Sequence, residues 1–219
     1  MQQDKWAIIW DMDGVIVQSA KLHYTALKQV FAARGYPYEW DVFISQFGRN
    51  NKSIVRDVIP TATPQEVDQM DSELISIFLS LVPGNVALLP GVLDWLQRFQ
   101  AWGFAQGIAS SSPIENINLI TATTGIQSYF DIMNSGGELP PKPNPDIYLQ
   151  VAQSVHVPPQ RCVIIEDAPV GVQGAQRAGM RCIAVETNHP ANRLQGATII
   201  VPDLSHLTVE EFTSRVIAN

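Results

Sequence analysis

The sequence has few cysteines and no long hydrophobic run. Its 219 residues include two cysteines, Cys162 and Cys182, each at the start of an apolar strand-like run, so we expect two buried thiols rather than a disulfide. No apolar run approaches the roughly 18 residues that cross a bilayer. The first residues also lack the basic and apolar regions of a signal peptide. These absences predict a soluble, cytoplasmic protein.

The sequence also lacks an excess of basic residues. It has 14 Lys and Arg against 21 Asp and Glu, which gives a formal net charge of −7. This balance argues against nucleic acid or an anionic membrane as the main partner, although the local field of a site can still attract an anionic small molecule. No Gly-rich Walker loop is present, which excludes a P-loop enzyme. The hydrophobic content of 46% suits a globular chain with a sizeable core.

The first third of the chain is predicted to be helical after one strand. The apolar run Trp6–Trp10 is typical of a buried strand. Helical patterns follow at Ala20–Arg34 and Lys52–Ile59, and a third helix begins at Pro64 and stops before Pro83. So long a helical block exceeds an ordinary connection. It predicts an inserted all-helical subdomain.

Strand-like and helical segments then alternate to the end of the chain. Strands are predicted at Phe104–Ala109, Phe130–Met133, Cys162–Ile165, Cys182–Val185 and Thr198–Val201. Helices are predicted from Val92 to Phe99, at Ile114–Thr124 and Pro145–Val155, in a segment that ends at Ala178, and near Val209–Ile217. This alternation is typical of an α/β fold with parallel strands and covering helices.

Pairs of acidic residues directly follow two of the predicted strands. Asp11 and Asp13 come after the first strand, and Glu166 and Asp167 come after Val163–Ile165. Ligands of open α/β sheets bind at the carboxyl ends of the strands. Acids there can act as a nucleophile, a proton donor or metal ligands. The alternative is an acidic surface turn at each place.

Residues suited to an anion occur at two further positions. Ser110 to Ser112 follow a predicted strand and precede Pro113 at a helix start, where hydroxyls and free N–H groups can cradle a phosphate. A helix N-cap is the alternative, and Ser112 could cap while Ser110 binds. Lys142 lies among four prolines that fix its backbone, so it can hold an anion or be a solvated loop lysine.

These acidic and anion-binding residues indicate a function more clearly together than any of them does alone. Four acids gathered at strand ends would repel one another and raise their own pKa values, unless a divalent cation lay among them. Mg²⁺ is the usual cation beside a phosphate. Ser110 and Lys142 meet the opposite need, because they can hold an anion. A metal, an anion site and a pair of aspartates describe phosphoryl transfer.

The motifs, in this order, resemble those of the haloacid dehalogenase superfamily, in its phosphatase branch with a helical cap. The matching segments are Asp11 to Val15, Ser110, Lys142, and Glu166-Asp167 with the glycines from Gly171 to Gly179. The resemblance implies a Rossmann-like parallel sheet core, residues 1–17 and 88–219. It also implies a mobile cap, residues 18–87, that closes over the site.

The resemblance further implies a role for each acid. Asp11 would be the nucleophile that forms an aspartyl-phosphate, and its side chain would also bind Mg²⁺. Asp13 would protonate the leaving oxygen and then activate water, and its backbone carbonyl would be a metal ligand. Asp167 would bind the metal directly, and Glu166 would bind it directly or through water. Ser110, with Ser111, and Lys142 would neutralise the phosphoryl group.

Six cap residues are the candidates for contact with the rest of the substrate. They are Ser19, His23, Gly48, Arg49, Asn51 and Lys52. His23 could touch the substrate or help pack the first cap helix, and Arg49 and Lys52 could instead be the solvated start of a helix. The chain departs from the family where Gln18 replaces a common aspartate and where Ala168 replaces a common serine. Neither position is central to the chemistry.

Two other functions compete with a phosphatase. The β-phosphoglucomutases of the same superfamily hold a second phosphate with a Lys-Gly-x-Ser-Arg-like cap pattern. Here the corresponding stretch, Phe47 to Lys52, keeps neither basic position, which favours hydrolysis of a small phosphorylated metabolite over transfer within it. The resemblance separately implies a monomer, which is common in this branch. A non-catalytic binding protein on the same fold is the other alternative. The complete set of acids argues against it.

Overall fold

The computed structural model describes residues 5–137 and 139–218. Within these ranges six strands form one parallel sheet in the order β3-β2-β1-β4-β5-β6. The strands are β1 (Ala7–Trp10), β2 (Ala105–Ser110), β3 (Ile132–Ser135), β4 (Cys162–Glu166), β5 (Arg181–Val185) and β6 (Ile199–Val201). The predicted α/β fold, with a Rossmann-like core and a helical cap, is therefore confirmed.

The central strand β1 shows how the sheet is buried on both faces. Its side chains alternate, so that Ile8 and Trp10 join one apolar cluster and Ala7 and Ile9 join another. Helices α5 (Val92–Ala101) and α6 (Ile114–Thr123) contribute to the first cluster, and α7 (Asp146–Ser154) and α8 (Pro169–Arg177) to the second. All four residues of β1 are buried, as expected for a strand covered on both sides.

Four helices lie between β1 and α5. They are α1 (Ala20–Ala32), α2 (Trp40–Gln46), α3 (Asn51–Val58) and α4 (Pro64–Leu81). Three agree with the predicted helices to within two residues. The fourth, α2, was not predicted because it buries only Phe43 and exposes Trp40 and Val42, which leaves no apolar stripe to detect.

Helix α4 carries the start signals that its sequence predicts. Pro64 occupies the first turn, and Thr63 and Glu66 form a reciprocal capping box. One face of the helix is buried through Val67, Met70, Leu74 and Phe78, at helical spacing. The helix packs against α1 and α3, and its amphipathic face therefore holds the cap together.

The two connections to the cap run side by side. Val17 and Leu88 form an antiparallel bridge, and the Leu89 N–H donates to the carbonyl of Ile16 at 2.9 Å. The chain thus leaves the core and returns to it at adjacent points. The cap bounds of residues 18–87 stay a prediction. The two residues of the bridge, Val17 and Leu88, directly flank this range.

Smaller differences from the predicted elements are local. Strand β3 begins two residues later than predicted. The reason is a 3₁₀ turn at Gln127–Tyr129, in which the Phe130 N–H donates to the carbonyl of Gln127, so that Phe130 is still part of the turn. The last helix, α9 (Val209–Glu211), continues as a π-helical turn at Phe212–Ile217. Cys162 and Cys182 are free, buried thiols, as predicted. Among the described residues, no helix combines the length and apolar character needed to cross a membrane.

Candidate active site

The two leading acids sit in a tight loop directly after β1. The Asp11 N–H donates to the carbonyl of Ile165 at 3.0 Å, which extends the pairing of β1 with β4 by one residue. The loop then turns at Gly14, which has a φ of +89° and donates its N–H to the carbonyl of Val17 at 2.8 Å. Asp11 and Asp13 are 6% and 8% exposed, so both carboxyl groups are withdrawn from bulk water.

Neighbouring strands bring further polar residues to the same edge of the sheet. Ser110 is the last residue of β2, Glu166 is the last residue of β4, and Asp167 follows at once. Since parallel strands end on the same side, the predicted residues from three strands meet there. All of these side chains are buried.

Lys142 lies at the centre of this group. Its Nζ donates to Oδ1 of Asp11 at 2.7 Å, to Oε1 of Glu166 at 2.6 Å and to the carbonyl of Ala109 at 3.2 Å. Burial alone would lower the pKa of Lys142, but the two carboxylates raise it well above its usual value. Lys142 is therefore a fixed, buried positive charge, not a solvated loop lysine.

One lysine does not balance the acids around it. Burial, with smaller effects of the nearby Glu166 and Asp13, raises the pKa of Asp11 to about 8, against the opposing effect of Lys142. Burial, together with Glu166 and Asp11, also raises the pKa of Asp167 well above its ordinary value. The acids of the cluster thus outnumber its one lysine, and a divalent cation would offset their repulsion.

A metal ion fits this cluster on structural grounds. Oxygens of Asp11, Glu166 and Asp167 lie within 4.8 Å of one another. Oδ1 of Asp167 is buried and has no hydrogen-bond partner among the residues that the structure describes. Buried carboxylate oxygens without donors are costly unless a cation satisfies them. The donor set consists of hard oxygens, which suit Mg²⁺.

The side chain of Asp13 stands apart from that group. Its Oδ1 accepts from Ser19 and lies 3.0 Å from Nε2 of His23, and its Oδ2 accepts from Ser112 at 2.7 Å. Burial would raise the pKa of Asp13, but His23 and the two hydroxyls lower it to about 2. Asp13 is therefore a carboxylate here. The predicted metal contact through its backbone carbonyl stays a prediction.

The three serines after β2 have different partners. The Oγ of Ser110 accepts from the N–H of Ser112 and lies 3.5 Å from Oδ2 of Asp13. Ser111 donates to the carbonyl of Gly48 in the cap at 2.9 Å. The alternative in which Ser112 caps α6 is wrong, because Pro113 is the N-cap residue and the Ser112 hydroxyl donates to Asp13.

The cap supplies the wall that faces the two aspartates. A cavity at this junction is lined by Asp11, Asp13, His23, Leu27, Phe43, Phe47, Gly48, Arg49, Asn51, Ile54, Ser111 and Ser112. His23 bonds to Asp13 and also stacks on Phe78, with ring centroids 4.2 Å apart, so it both packs the cap and reaches the site. Four of the cavity residues are apolar, so the cap wall is mixed in character.

The predicted basic cap residues are paired with acids of the cap itself. Arg49 lines the cavity and bonds to Asp57, whereas Lys52 forms an ion pair with Asp68 at 2.8 Å and lines a neighbouring cavity. Asn51 donates to Asp71 at 3.0 Å. Lys52 is thus not among the residues that face Asp11 and Asp13.

Tyr148 and Asn188 are two site residues that the sequence did not reveal. The Tyr148 hydroxyl donates to Oε1 of Glu166 at 2.8 Å, and Nδ2 of Asn188 donates to Oδ2 of Asp167 at 2.7 Å. Tyr148 belongs to the apolar face of α7, where an aromatic residue is typical of the core. Asn188 lies in an irregular segment after β5, and a polar residue there carries no signal of its own.

Comparison with known proteins places these features in context. The sequence model of the haloacid dehalogenase-like hydrolases matches residues 8–185. A validoxylamine A 7'-phosphate phosphatase of Streptomyces hygroscopicus subsp. limoneus is 26% identical over 202 residues, 91% of this chain and 94% of that protein.

Two mutases are also similar. A β-phosphoglucomutase of Bacillus subtilis is 28% identical over 214 residues, 93% of this chain and 92% of that protein. The crystal structure of a β-phosphoglucomutase from Clostridium difficile superposes with a TM-score of 0.89 at 26% identity and covers 97% of both chains. The matches therefore include phosphatases and mutases alike.

Proposed function

Because the chain belongs to the haloacid dehalogenase-like hydrolase family, we propose that it is a Mg²⁺-dependent phosphatase that hydrolyses a small phosphate monoester through an aspartyl-phosphate. The observation that carries this proposal is the buried Lys142, which bridges Asp11 and Glu166 beside the unpaired Oδ1 of Asp167. A fixed cation and a set of acids in one enclosed site suit a dianionic phosphoryl group that must be held and transferred.

In the first step, Oδ2 of Asp11 attacks phosphorus in line with the leaving oxygen. Lys142 already occupies Oδ1, which leaves the second oxygen of the carboxylate for the reaction. The new O–P bond forms as the bond from phosphorus to the leaving oxygen breaks, and Asp13 gives that oxygen its proton. The ammonium group of Lys142 and the hydroxyl of Ser110 stabilise the negative charge of the phosphoryl group.

Asp13 must gain a proton before it can give one. In the arrangement described above its carboxylate accepts from Ser19, His23 and Ser112 and is ionised. Protonation requires that at least one of these donors yields, and the leaving oxygen of a bound substrate would then take its place. In the second step the same carboxylate takes a proton from water as the water oxygen attacks phosphorus and Asp11 departs.

The metal would be held by Asp11, Asp167 and the backbone carbonyl of Asp13. Glu166 would reach it through a water molecule, since both of its oxygens already accept hydrogen bonds, from Lys142, Tyr148 and two backbone N–H groups. When bound, Mg²⁺ supplies positive charge that offsets the repulsion between the phosphoryl group and the carboxylates.

The substrate is proposed to be a small phosphorylated metabolite such as a sugar phosphate. His23, Gly48, Arg49 and Asn51 would shape the half of the site that holds its leaving group, and Lys52 would act from the neighbouring cavity. Ser19 is fully buried and lines neither cavity, so it would act through its hydrogen bond to Asp13. We keep a monomeric state, a cytoplasmic location and cap bounds of residues 18–87 as proposals.

A phosphosugar mutase is the second candidate, and the two similar β-phosphoglucomutases favour it. Two observations weigh against it. Phe47 occupies a position where those enzymes are expected to be basic, and it is buried against Phe43. Arg49 is paired with Asp57, which leaves its charge partly neutralised for a second phosphate.

Phosphate release tests the proposal. We expect the protein to release inorganic phosphate from an aryl phosphate and from some members of a panel of phosphorylated metabolites with Mg²⁺, and to stop when a chelator is added. Asp11→Asn should fold and release none. Conversion of β-glucose 1-phosphate to glucose 6-phosphate without net phosphate release would identify the mutase instead.

A further inference from the structure

The metal-facing acid Asp167 is held by a residue outside the four motifs. Asn188, in the segment that follows β5, donates from Nδ2 to Oδ2 of Asp167 at 2.7 Å. The other oxygen of the same carboxylate, Oδ1, is the buried one that lacks a partner among the described residues. Fixing one oxygen of a carboxylate sets the direction in which the other points.

Gly14, in the loop that carries Asp11 and Asp13, leaves room for this contact because it has no side chain. A Cβ placed on Gly14 would lie 2.1 Å from Oδ2 of Asp167 and 2.5 Å from Nδ2 of Asn188. Both distances are far below van der Waals contact. The bond between Asn188 and Asp167 therefore passes directly over the glycine of the loop that carries Asp11 and Asp13.

Hydrogen bonds to Asp167 and Gln18 determine which way the oxygen and the nitrogen of the Asn188 amide point. A carboxylate only accepts hydrogen bonds, so the amide nitrogen must face Asp167. The amide oxygen then faces the cap connection, where Nε2 of Gln18 donates to it at 3.3 Å. The Oε1 of Gln18 in turn accepts from the N–H of Ala20, the first residue of α1, at 3.3 Å.

We propose that Asn188 is a positioning residue for Asp167, which it holds so that Oδ1 faces the Mg²⁺ site, and that Gln18 orients the Asn188 amide. This inference rests on the proposed Mg²⁺ site. Groups that hydrogen-bond to metal ligands typically change metal affinity by about 10- to 100-fold when they are removed. The arrangement also links the metal acid to the start of the cap.

The test measures Mg²⁺ binding to the whole, chelator-treated protein by titration calorimetry. Asn188→Ala removes the donor, and Asn188→Leu removes it at nearly constant volume. Asn192→Ala, an exposed asparagine in the same segment, is the matched control. We expect both Asn188 variants to bind Mg²⁺ about 10- to 100-fold more weakly, with wild-type affinity in the control.

Two further readouts separate positioning from a general structural role. The melting temperature in chelator should stay near the wild-type value, and kcat should recover to within a few-fold at saturating Mg²⁺. Unchanged Mg²⁺ affinity in either Asn188 variant would overturn the inference. So would failure of both variants to fold in chelator, because Asn188 would then be structural.

The part played by Gln18 has its own test. Gln18→Ala should weaken Mg²⁺ binding about two- to tenfold, which is the range for losing one exposed hydrogen bond. If Gln18 acts only through Asn188, the double variant Gln18→Ala/Asn188→Ala should bind no more weakly than Asn188→Ala alone. Additive losses would show an independent role and contradict the proposed relay.

Failure of the proposed function would look different. A wild-type protein that binds Mg²⁺ but releases phosphate from no substrate refutes the phosphatase and leaves the role of Asn188 intact, because calorimetry needs no substrate. A wild-type protein that does not bind Mg²⁺ refutes the positioning role itself.

Discussion

Ser112 and Asp13, 99 residues apart in the sequence, are joined by a hydrogen bond of 2.7 Å from the serine Oγ to Oδ2 of the carboxylate. The bond crosses from the start of α6 to the loop after β1. It is one of four that the Asp13 side chain makes there, and it helps to keep the pKa of this carboxyl group near 2 despite burial. The carboxyl group that we propose to transfer protons is therefore tuned by a residue of the loop that follows β2.

Ser112→Ala should raise the pKa of Asp13, because it removes a donor to the charged form. We expect turnover at pH 7 to stay within about tenfold of wild type, and the basic limb of the pH–rate profile, along which the proton that Asp13 donates is lost, to move to higher pH. Ser128→Ala, on the surface, is the control. An unmoved basic limb would remove Ser112 from this role.

Tyr148→Phe should destabilise the fold, because Oε1 of Glu166 loses one of its two side-chain donors. The loss of a hydrogen bond to a buried charged group costs about 1–3 kcal/mol of the free energy of unfolding, which urea denaturation measures. Tyr36→Phe is the control, since Tyr36 is exposed. Equal stability of the two variants would contradict this prediction.

Lys142→Met should abolish phosphate release and destabilise the metal-free protein by about 3 kcal/mol at pH 8, because Asp11 and Glu166 would lose their buried partner. The loss of stability should be smaller at pH 5.5, where Asp11, whose pKa is raised by burial, is protonated. Lys28→Met, on the surface of α1, should change neither quantity. A penalty independent of pH would argue against the charge imbalance.

Metal removal should make stability depend on pH in a defined direction. Burial raises the pKa of Asp11 to about 8, so the stability that its neutral form contributes is complete below its ordinary pKa and is lost as the pH rises through about 8. In chelator, the melting temperature should fall between pH 6 and pH 8.5.

Added Mg²⁺ should reverse this trend, because protons compete with the metal for the same oxygens. The increase in melting temperature at a fixed Mg²⁺ concentration should therefore grow from pH 6 to pH 8.5. NaCl at equal ionic strength is the control. An increase that is the same at both pH values would show that these carboxyl groups do not bind the ion.

The sheet and the gathering of its acids follow from the sequence, for a physical reason. Asp11, Ser110 and Glu166 each mark the end of an apolar run, and parallel strands all end on one side. A local pattern is therefore enough to bring these three residues to one edge of the sheet. Lys142 lies in a loop, and its proximity to Asp11 is expected only from the family resemblance and from charge balance.

Other contacts depend on how separate elements pack, which a single sequence does not encode locally. Helix α2 escapes prediction because its exposed Trp40 and Val42 break the apolar stripe. Serine before proline favours a helix start, but at Ser112 a buried carboxylate competes for the hydroxyl and wins. His23 reaches Asp13 only because the cap docks in one particular orientation.

The bridge between Val17 and Leu88 has a consequence for how such a chain can diversify. The chain between these residues is one excursion, because it leaves the core and returns to it at two adjacent positions. Insertions, deletions or whole replacements inside it need not disturb the pairing of β1 with β2 and β4. The strands that position Asp11, Ser110 and Glu166 are thereby independent of the length of the excursion, and only the contacts of Ser19 and His23 with Asp13 tie its sequence to the acids of the sheet.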